Sequence, residues 1–269
     1  MSLPRSLWLK SLIVGTPFEG VARQVRSAVK SIELRRHPEL GEFCYGESLL
    51  PQVLKSVLTP TSQCVDVGSH IGSFLSLALR YASDGRHIAF EPSVEKCQWL
   101  VRRFPNVEIK PVGVADQNGR TMFVEDRERP GYSHLSAGDA KDLKKHTYAV
   151  DVVRLDDVLI DRQPALIKID VEGGELEVLR GAADTIRRTK PSIIFECGSE
   201  YADLVKEKRP QLFRFLVDDL SYSIRSFSDY MFGKDEMGFD EFRRCGLYPF
   251  RAFNFIAMPA SFISRRIAE

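Results

Sequence analysis

The chain has 269 residues with 38 Lys and Arg against 37 Asp and Glu, a formal net charge of +1, and 43% hydrophobic residues. That is the profile of a globular protein long enough to bury a core without metal or disulfide staples, and it lacks the basic excess that engages a nucleic acid backbone. Five scattered cysteines (Cys44, Cys64, Cys97, Cys197 and Cys245) form no CxxC pair, so they read as reduced thiols and the expected location is cytoplasmic.

Leu7–Val14 is the first apolar stretch, but Lys10 breaks it and it is far short of the roughly 20 residues that span a bilayer. No transmembrane segment or secretory signal is expected. The segment reads as an arm packed on the domain or on a partner subunit, with a membrane-interfacial role as the alternative. Glu19–Ile32 places Val21, Val25, Ala28, Val29 and Ile32 at spacings of three and four, one face of an amphipathic helix. Residues 1–40 are therefore expected to be an N-terminal helical extension and a candidate homodimer contact. The boundary falls at His37–Gly41, and a catalytic domain is expected over 41–269.

From Gly46 onward, short apolar runs alternate with helical patterns. Strands are expected at Cys64–Val67, His87–Phe90, Leu166–Ile169 and Ile193–Phe195, and helices at Gly72–Tyr81, Val94–Arg103 and from Gly174 past Leu179. Strands without polar alternation, flanked by helices, make a doubly wound α/β sheet covered on both faces. Thr121–Val124 and Tyr148–Val153 alternate like an antiparallel pair around a polar insertion, Asp126–Lys145, expected to be a lid or substrate loop. Tyr222–Phe227 and Ala252–Met258 read as two late strands, the second antiparallel.

Chemistry concentrates in three segments. In Val65-Asp66-Val67-Gly68-Ser69-His70-Ile71-Gly72-Ser73-Phe74 the first strand turns into the first helix, where glycines let backbone approach a ligand and helix amides face it. A nicotinamide site would want Gly-x-Gly-x-x-Gly; here the middle glycine is missing. The Asp66 carboxylate would repel a diphosphate but favour the cationic S-adenosylmethionine. Glu91 in Phe90-Glu91-Pro92 ends the second strand 19 residues after Gly72, where an acid can accept hydrogen bonds from both ribose hydroxyls. In Ile167-Lys168-Ile169-Asp170-Val171-Glu172-Gly173-Gly174-Glu175, Lys168 sits in an apolar strand on the same side as Asp170. A buried lysine needs a partner, and Asp170, Glu172 and Glu196 are the carboxylates at hand. Glu175, opening a helix, reads as either a functional acid or a cap.

Together with Val112-Gly113-Val114-Ala115-Asp116 and Asn118-Gly119, these segments resemble the FkbM-type family of S-adenosylmethionine-dependent methyltransferases, over about Glu47 to Glu196. The resemblance implies a Rossmann-like class I methyltransferase fold, with a mostly parallel seven-stranded sheet, a reversed last strand and helices on both faces. It also implies O-methylation of a hydroxyl on a sugar, glycan or polyketide-type metabolite. Carried onto this chain, Asp66, Gly68, Ser69, His70 and Gly72 would line the methionine end of the cofactor, Glu91 with Pro92 would hold the ribose, and Gly113 and Val114 would lie by the adenine. Glu47 would sit near the methionine amino group, and Asp170 would also face the cofactor. This chain has His70 where the family often has Asn, and Gly131-Tyr132-Ser133-His134-Leu135 where it has a Gly-x-Ser-Ser-Leu-like loop.

An aliphatic hydroxyl is a poor nucleophile, so a general base is expected. The candidates are Asp170, Glu172 and His134. No His/Cys spacing indicates a metal, and none is assigned, although Asp170 with Glu172 or Glu196 could offer oxygen ligands to Mg²⁺. The rival readings are a non-catalytic S-adenosylmethionine-binding scaffold and a nicotinamide-dependent oxidoreductase.

Overall fold

The computed structural model describes residues 7, 11–22, 25, 34–126, 133–136, 146–198 and 203–260. Helices α1 (Gly41–Ser48) and α2 (Leu50–Val57) lead into strand β1 (Gln63–Val67), which is buried along almost its whole length. After α3 (Ser73–Ala78) come β2 (Ile88–Phe90), α4 (Val94–Arg103) and β3 (Glu108–Lys110). Helix α4 has the expected bounds. Glu95 lies in its first turn and Arg102 and Arg103 in its last, complementing the helix dipole, while Cys97 and Leu100 face inward.

The second half supplies β8 (Pro164–Ile169), β9 (Ser192–Glu196), β10 (Tyr222–Ser226) and β11 (Asn254–Pro259). The sheet order is β10-β11-β9-β8-β1-β2-β3. Only β11 runs against its neighbours, pairing antiparallel with both β10 and β9, while the other pairings are parallel. This is the seven-stranded Rossmann-like sheet with a reversed last strand that the sequence implied.

Period-two alternation splits the buried side chains between the two faces. Val65, Val67, Ile167, Ile169 and Phe195 point to one core, and Cys64, Leu166 and Ile194 to the other, where Val53 and Leu54 of α2 and Phe74 and Leu77 of α3 cover them. The helix expected from Gly174 is two: α6 (Glu175–Arg180) and α7 (Ala183–Thr189), separated by a turn at Gly181-Ala182. They follow the short α5 (Leu155–Val158). The C-terminal third adds α8 (Asp203–Arg214), α9 (Phe227–Met231) and α10 (Phe239–Cys245).

Between β3 and β8 the chain builds a second sheet, β4-β7-β5-β6, from β4 (Gly113–Val114), β5 (Gly119–Glu125), β6 (His134–Ser136) and β7 (His146–Val153). The expected antiparallel pair is β5 with β7, with Phe123 opposite Tyr148 and their rings 5.6 Å apart. Of the Asp126–Lys145 insertion, Asp126 and residues 133–136 are described. Strand β6 pairs with β5 and enters the site below; the remainder lies outside the described residues.

The N-terminal arm packs on the domain. Leu7 and Val14 are buried with Ile71, Leu75, Leu100 and Phe104, and Arg103 Nε donates to the Val14 carbonyl at 2.7 Å. Residues 19–22 and 25 are helical, and Val21 and Val25 of the expected apolar face are 59% and 58% exposed. The physical reason is Glu19. Its buried carboxylate accepts the Ser76 hydroxyl at 2.5 Å and the Gly15 amide at 2.8 Å, so the acid faces the domain and the valines face out. Ala28, Val29 and Ile32 lie outside the described residues. Among the described residues, no helix is long and apolar enough to cross a membrane. All five cysteines are free, with four of them buried.

Candidate active site

The carboxyl ends of β1, β2, β8 and β9 open into one cleft of about 380 Å³, roofed by Ser133, His134 and Leu135 of the second sheet. Its floor is the turn after β1. Gly68 (φ +79°) has no room for a side chain, since a Cβ would stand 1.8 Å from the Asp170 carbonyl oxygen. The strand ends of β1 and β8 thus meet backbone to backbone, and the Gly68 and Ser69 amides donate to the Phe90 carbonyl at 3.0 and 3.1 Å. Gly68→Ala combines a backbone clash with an unfavourable φ, so we expect it to cost about 3 kcal/mol or more, read by urea denaturation; a loss under about 1 kcal/mol would mean that the turn yields cheaply. Gly72 (φ +78°) caps α3, and a Cβ there would stand 2.3 Å from the Phe104 ring. It serves the packing of α3 on α4 and does not line the cleft.

Glu91, at the end of β2, is 3% exposed. Its two oxygens accept the His70 amide at 2.8 Å and the Ser93 amide at 2.9 Å, with Lys96 Nζ 3.9 Å away. Burial pushes this carboxyl up, against the opposing pull of Lys96 and the two amides. Each oxygen keeps a second acceptor site for a ligand. Pro92, Gly113 and Val114 continue the same wall, and Ser69 and His70 stand on the floor.

Lys168 is tied to Asp170 at 3.2 Å and to Asp66 at 3.4 Å, and it donates to the Gly68 carbonyl at 3.0 Å. Asp170 was an expected partner. Asp66 was not, and it is Asp66 with Asp170, rather than Glu172 or Glu196, that stands within ion-pair distance of the lysine among the described residues. Register supplies the reason: Asp66 and Lys168 are paired positions on parallel neighbours β1 and β8, on one face of the sheet. Burial by itself would lower the lysine pKa, but Asp170 and Asp66 outweigh it and hold the ammonium protonated. Asp66, fully buried, is not among the residues that line the cleft; what its carboxylate faces is the Lys168 ammonium.

Asp170, Glu172 and Glu196 line the far end of the cleft, with Asn254 beside them. Glu172 adopts a left-handed φ of +54°, uncommon for a residue with a side chain. Burial, then Asp170 and Glu175, push its carboxyl up to about 7. Glu196 is pushed to about 9 by burial and then by Asp170, Glu172 and Glu47. Glu175 accepts the Gly173 amide at 3.1 Å and the Val171 amide at 3.4 Å, so it staples the turn that carries Glu172. Burial raises it to about 7. Glu47 does not line the cleft; its carboxylate holds Asn254 through the side-chain amide at 2.6 Å and the backbone amide at 3.3 Å. His134 lines the cleft from β6, half-buried.

Ser73 and Phe74, which close the glycine-turn segment in the sequence, line the cleft too, whereas Leu50, Lys96 and Asn254 line it without having been singled out as site residues. Asn254 carries no local signal, because a reversed strand brings it beside Glu196. Among the described residues no three His, Cys, Asp or Glu side chains are placed to hold a metal ion.

Comparison with known proteins places this geometry. Residues 66–224 match the Methyltransferase FkbM domain. A curated relative, Methyltransferase 1 of Beauveria bassiana (strain ARSEF 2860), is 28% identical over 144 residues, covering 45% of this chain and 58% of its own length. Among solved structures, the FkbM methyltransferase of Methylobacillus flagellatus KT aligns at 18% identity and a TM-score of 0.44, covering 75% of this chain and 44% of that one. The O-methyltransferase of Bacillus cereus in complex with SAH aligns at 12% identity and a TM-score of 0.42, covering 80% and 79%. The chain thus spans little more than half of its curated relative and less than half of the first of these structures. The matched segment begins at Asp66 and runs through the glycine turn, Glu91 and the Lys168–Glu172 block to β10, more than half of the sequence, and the chain belongs to the FkbM methyltransferase family.

Proposed function

We propose that the protein is an S-adenosylmethionine-dependent O-methyltransferase acting on a hydroxyl of a sugar, glycan or polyketide-type small molecule. The observation that carries the reading is the division of the cleft into a Glu91 wall and an acidic far end built from Asp170, Glu172 and Glu196. The residues present fit the cofactor: Glu91 has acceptor sites left for two ribose hydroxyls, and clustered carboxylates favour a sulfonium and an ammonium where they would repel a diphosphate. Gly68, Ser69 and His70 would hold the methionine portion, and Gly113 and Val114 the adenine. When bound, S-adenosylmethionine supplies a methyl group on a positively charged sulfur.

The chain's own residues then have three tasks. Lys168 holds Asp170 at one angle, which fixes the cleft wall. His134 and Leu135 close the cleft from above and exclude water, and holding an acceptor in line is worth several kcal/mol of the barrier, of the order of 7 or more in well-oriented systems. Glu172 takes the acceptor's hydroxyl proton on its carboxylate. It suits this better than Asp170, whose oxygen is already engaged by the lysine at 3.2 Å, because a base with a pKa near the working pH is the more effective. His134 is the alternative base from the roof.

Calorimetric titration with S-adenosylmethionine, S-adenosylhomocysteine and NAD tests the reading. Saturable binding of the first two is expected, weakened at least about tenfold in Glu91→Ala by loss of two charge-assisted hydrogen bonds. Binding of NAD alone would move the protein to the oxidoreductases, and binding without turnover of any hydroxyl acceptor would make it a scaffold.

A further inference from the structure

The N-terminal arm carries apolar surface and charge that the cleft does not use. Phe18 is 72% exposed, and Val21 and Val25 follow it at helical spacing, 59% and 58% exposed; Leu12 adds a fourth apolar side chain at 54%. The helical turn is continuous from Phe18, whose carbonyl accepts the Ala22 amide at 3.0 Å. The arm is fixed rather than loose at its root. Leu7 and Val14 are buried in the domain, Glu19 is bonded to Ser76 and Gly15, and Arg103 holds the Val14 carbonyl. Its outward face is therefore set by the fold.

Charge decides what that face meets. Residues 1–36 hold seven Lys and Arg against two Glu, while the rest of the chain holds 31 against 35. One of the two arm acids, Glu19, is buried, and Arg80, 3.9 Å from it, keeps its side chain 43% exposed. An apolar helix face in a cationic segment matches the interface of an anionic bilayer, where apolar side chains enter the headgroup boundary and Lys and Arg meet lipid charge. A second copy docked by the same face would bring two cationic arms together, which like-charge repulsion opposes.

We propose that the arm is a peripheral membrane-docking element, with Phe18, Val21 and Val25 entering the interface of an anionic lipid surface. The protein would then meet its acceptor at a membrane. The test is co-sedimentation of the full chain with phosphatidylcholine vesicles, with and without phosphatidylglycerol, beside the Phe18→Ser/Val21→Ser/Val25→Ser variant. These side chains are exposed, so the variant is expected to keep its thermal unfolding midpoint and its affinity for S-adenosylhomocysteine. Binding is expected only with phosphatidylglycerol, falling as salt rises, and about tenfold or more weaker in the variant. Absence of vesicle binding, or equal binding by the variant, would overturn the proposal. A concentration-dependent dimer in sedimentation that the variant abolishes would assign the face to a second copy and overturn it too.

Discussion

Lys168→Met is expected to destabilise the fold by about 3–5 kcal/mol, the usual loss when one partner of a buried ion pair is removed. Asp66 is 0% exposed, and the Lys168 ammonium 3.4 Å away is the counter-charge its carboxylate faces. Burial pushes the Asp66 carboxyl up from its ordinary 3.8, with Lys168 the main opposing influence. Without the lysine the group must take up a proton on folding. A folded pKa raised above the unfolded one gives stability that is present at low pH and lost as pH rises through the folded value. The Met variant should therefore be closest to wild type near pH 5 and weakest near pH 8. Asp66→Asn in the same chain removes the stranded charge and should recover about half of the loss or more. Urea denaturation of the three proteins at both pH values measures this. A single-variant loss under about 1 kcal/mol at pH 8 would show that Asp66 is already neutral.

That pair also marks where sequence reading stops. Six strands of the central sheet were legible from their apolar positions, whereas the edge strand β3, Glu-Ile-Lys, carries no apolar run and was not expected; α4 was legible because its apolar positions and terminal charges agree. The anomaly of Lys168 was visible too, since a lysine in a buried strand needs a counter-charge. Its second partner was hidden in the register between β1 and β8, which no local pattern encodes. Gly72 was visible as a glycine in a ligand-binding turn, but what it accommodates is Phe104, over thirty residues away. The valines of the arm show a related limit: helical periodicity identifies an apolar face without saying what covers it. Here a single buried carboxylate, Glu19, bonded to Ser76 of α3, turned that face outward. Long-range pairing settled all three cases.

The acidic far end of the cleft has the largest expected effect on activity. Glu172→Gln is expected to lower kcat by about 10²- to 10⁴-fold, the range of a lost general base, with S-adenosylhomocysteine affinity within about threefold of wild type, under 1 kcal/mol. In the wild type, turnover should rise with pH through about 7, the value to which burial and Asp170 bring this carboxyl, and the Gln variant should lose that limb. Full turnover with the limb intact would take the role from Glu172 and leave His134 as the base. The same groups set an opposing trend in stability. Glu172 and Glu175 are raised to about 7 and Glu196 to about 9, from an ordinary 4.5. Their contribution is complete below about pH 4.5 and is lost as pH rises through 7 and then 9. The protein without cofactor should thus lose thermal stability over the interval in which it gains activity. Glu196→Gln, which removes the most strongly raised carboxyl, should raise Tm at pH 8 by about 2–4 °C for each kcal/mol relieved. A cation bound among these carboxylates opposes the repulsion, so the Tm gain from S-adenosylmethionine should be larger at pH 9 than at pH 6. Burial and the mutual repulsion of the carboxylates cost the protein stability, and burial first, then Asp170 and Glu175, bring Glu172 into the range where a base works.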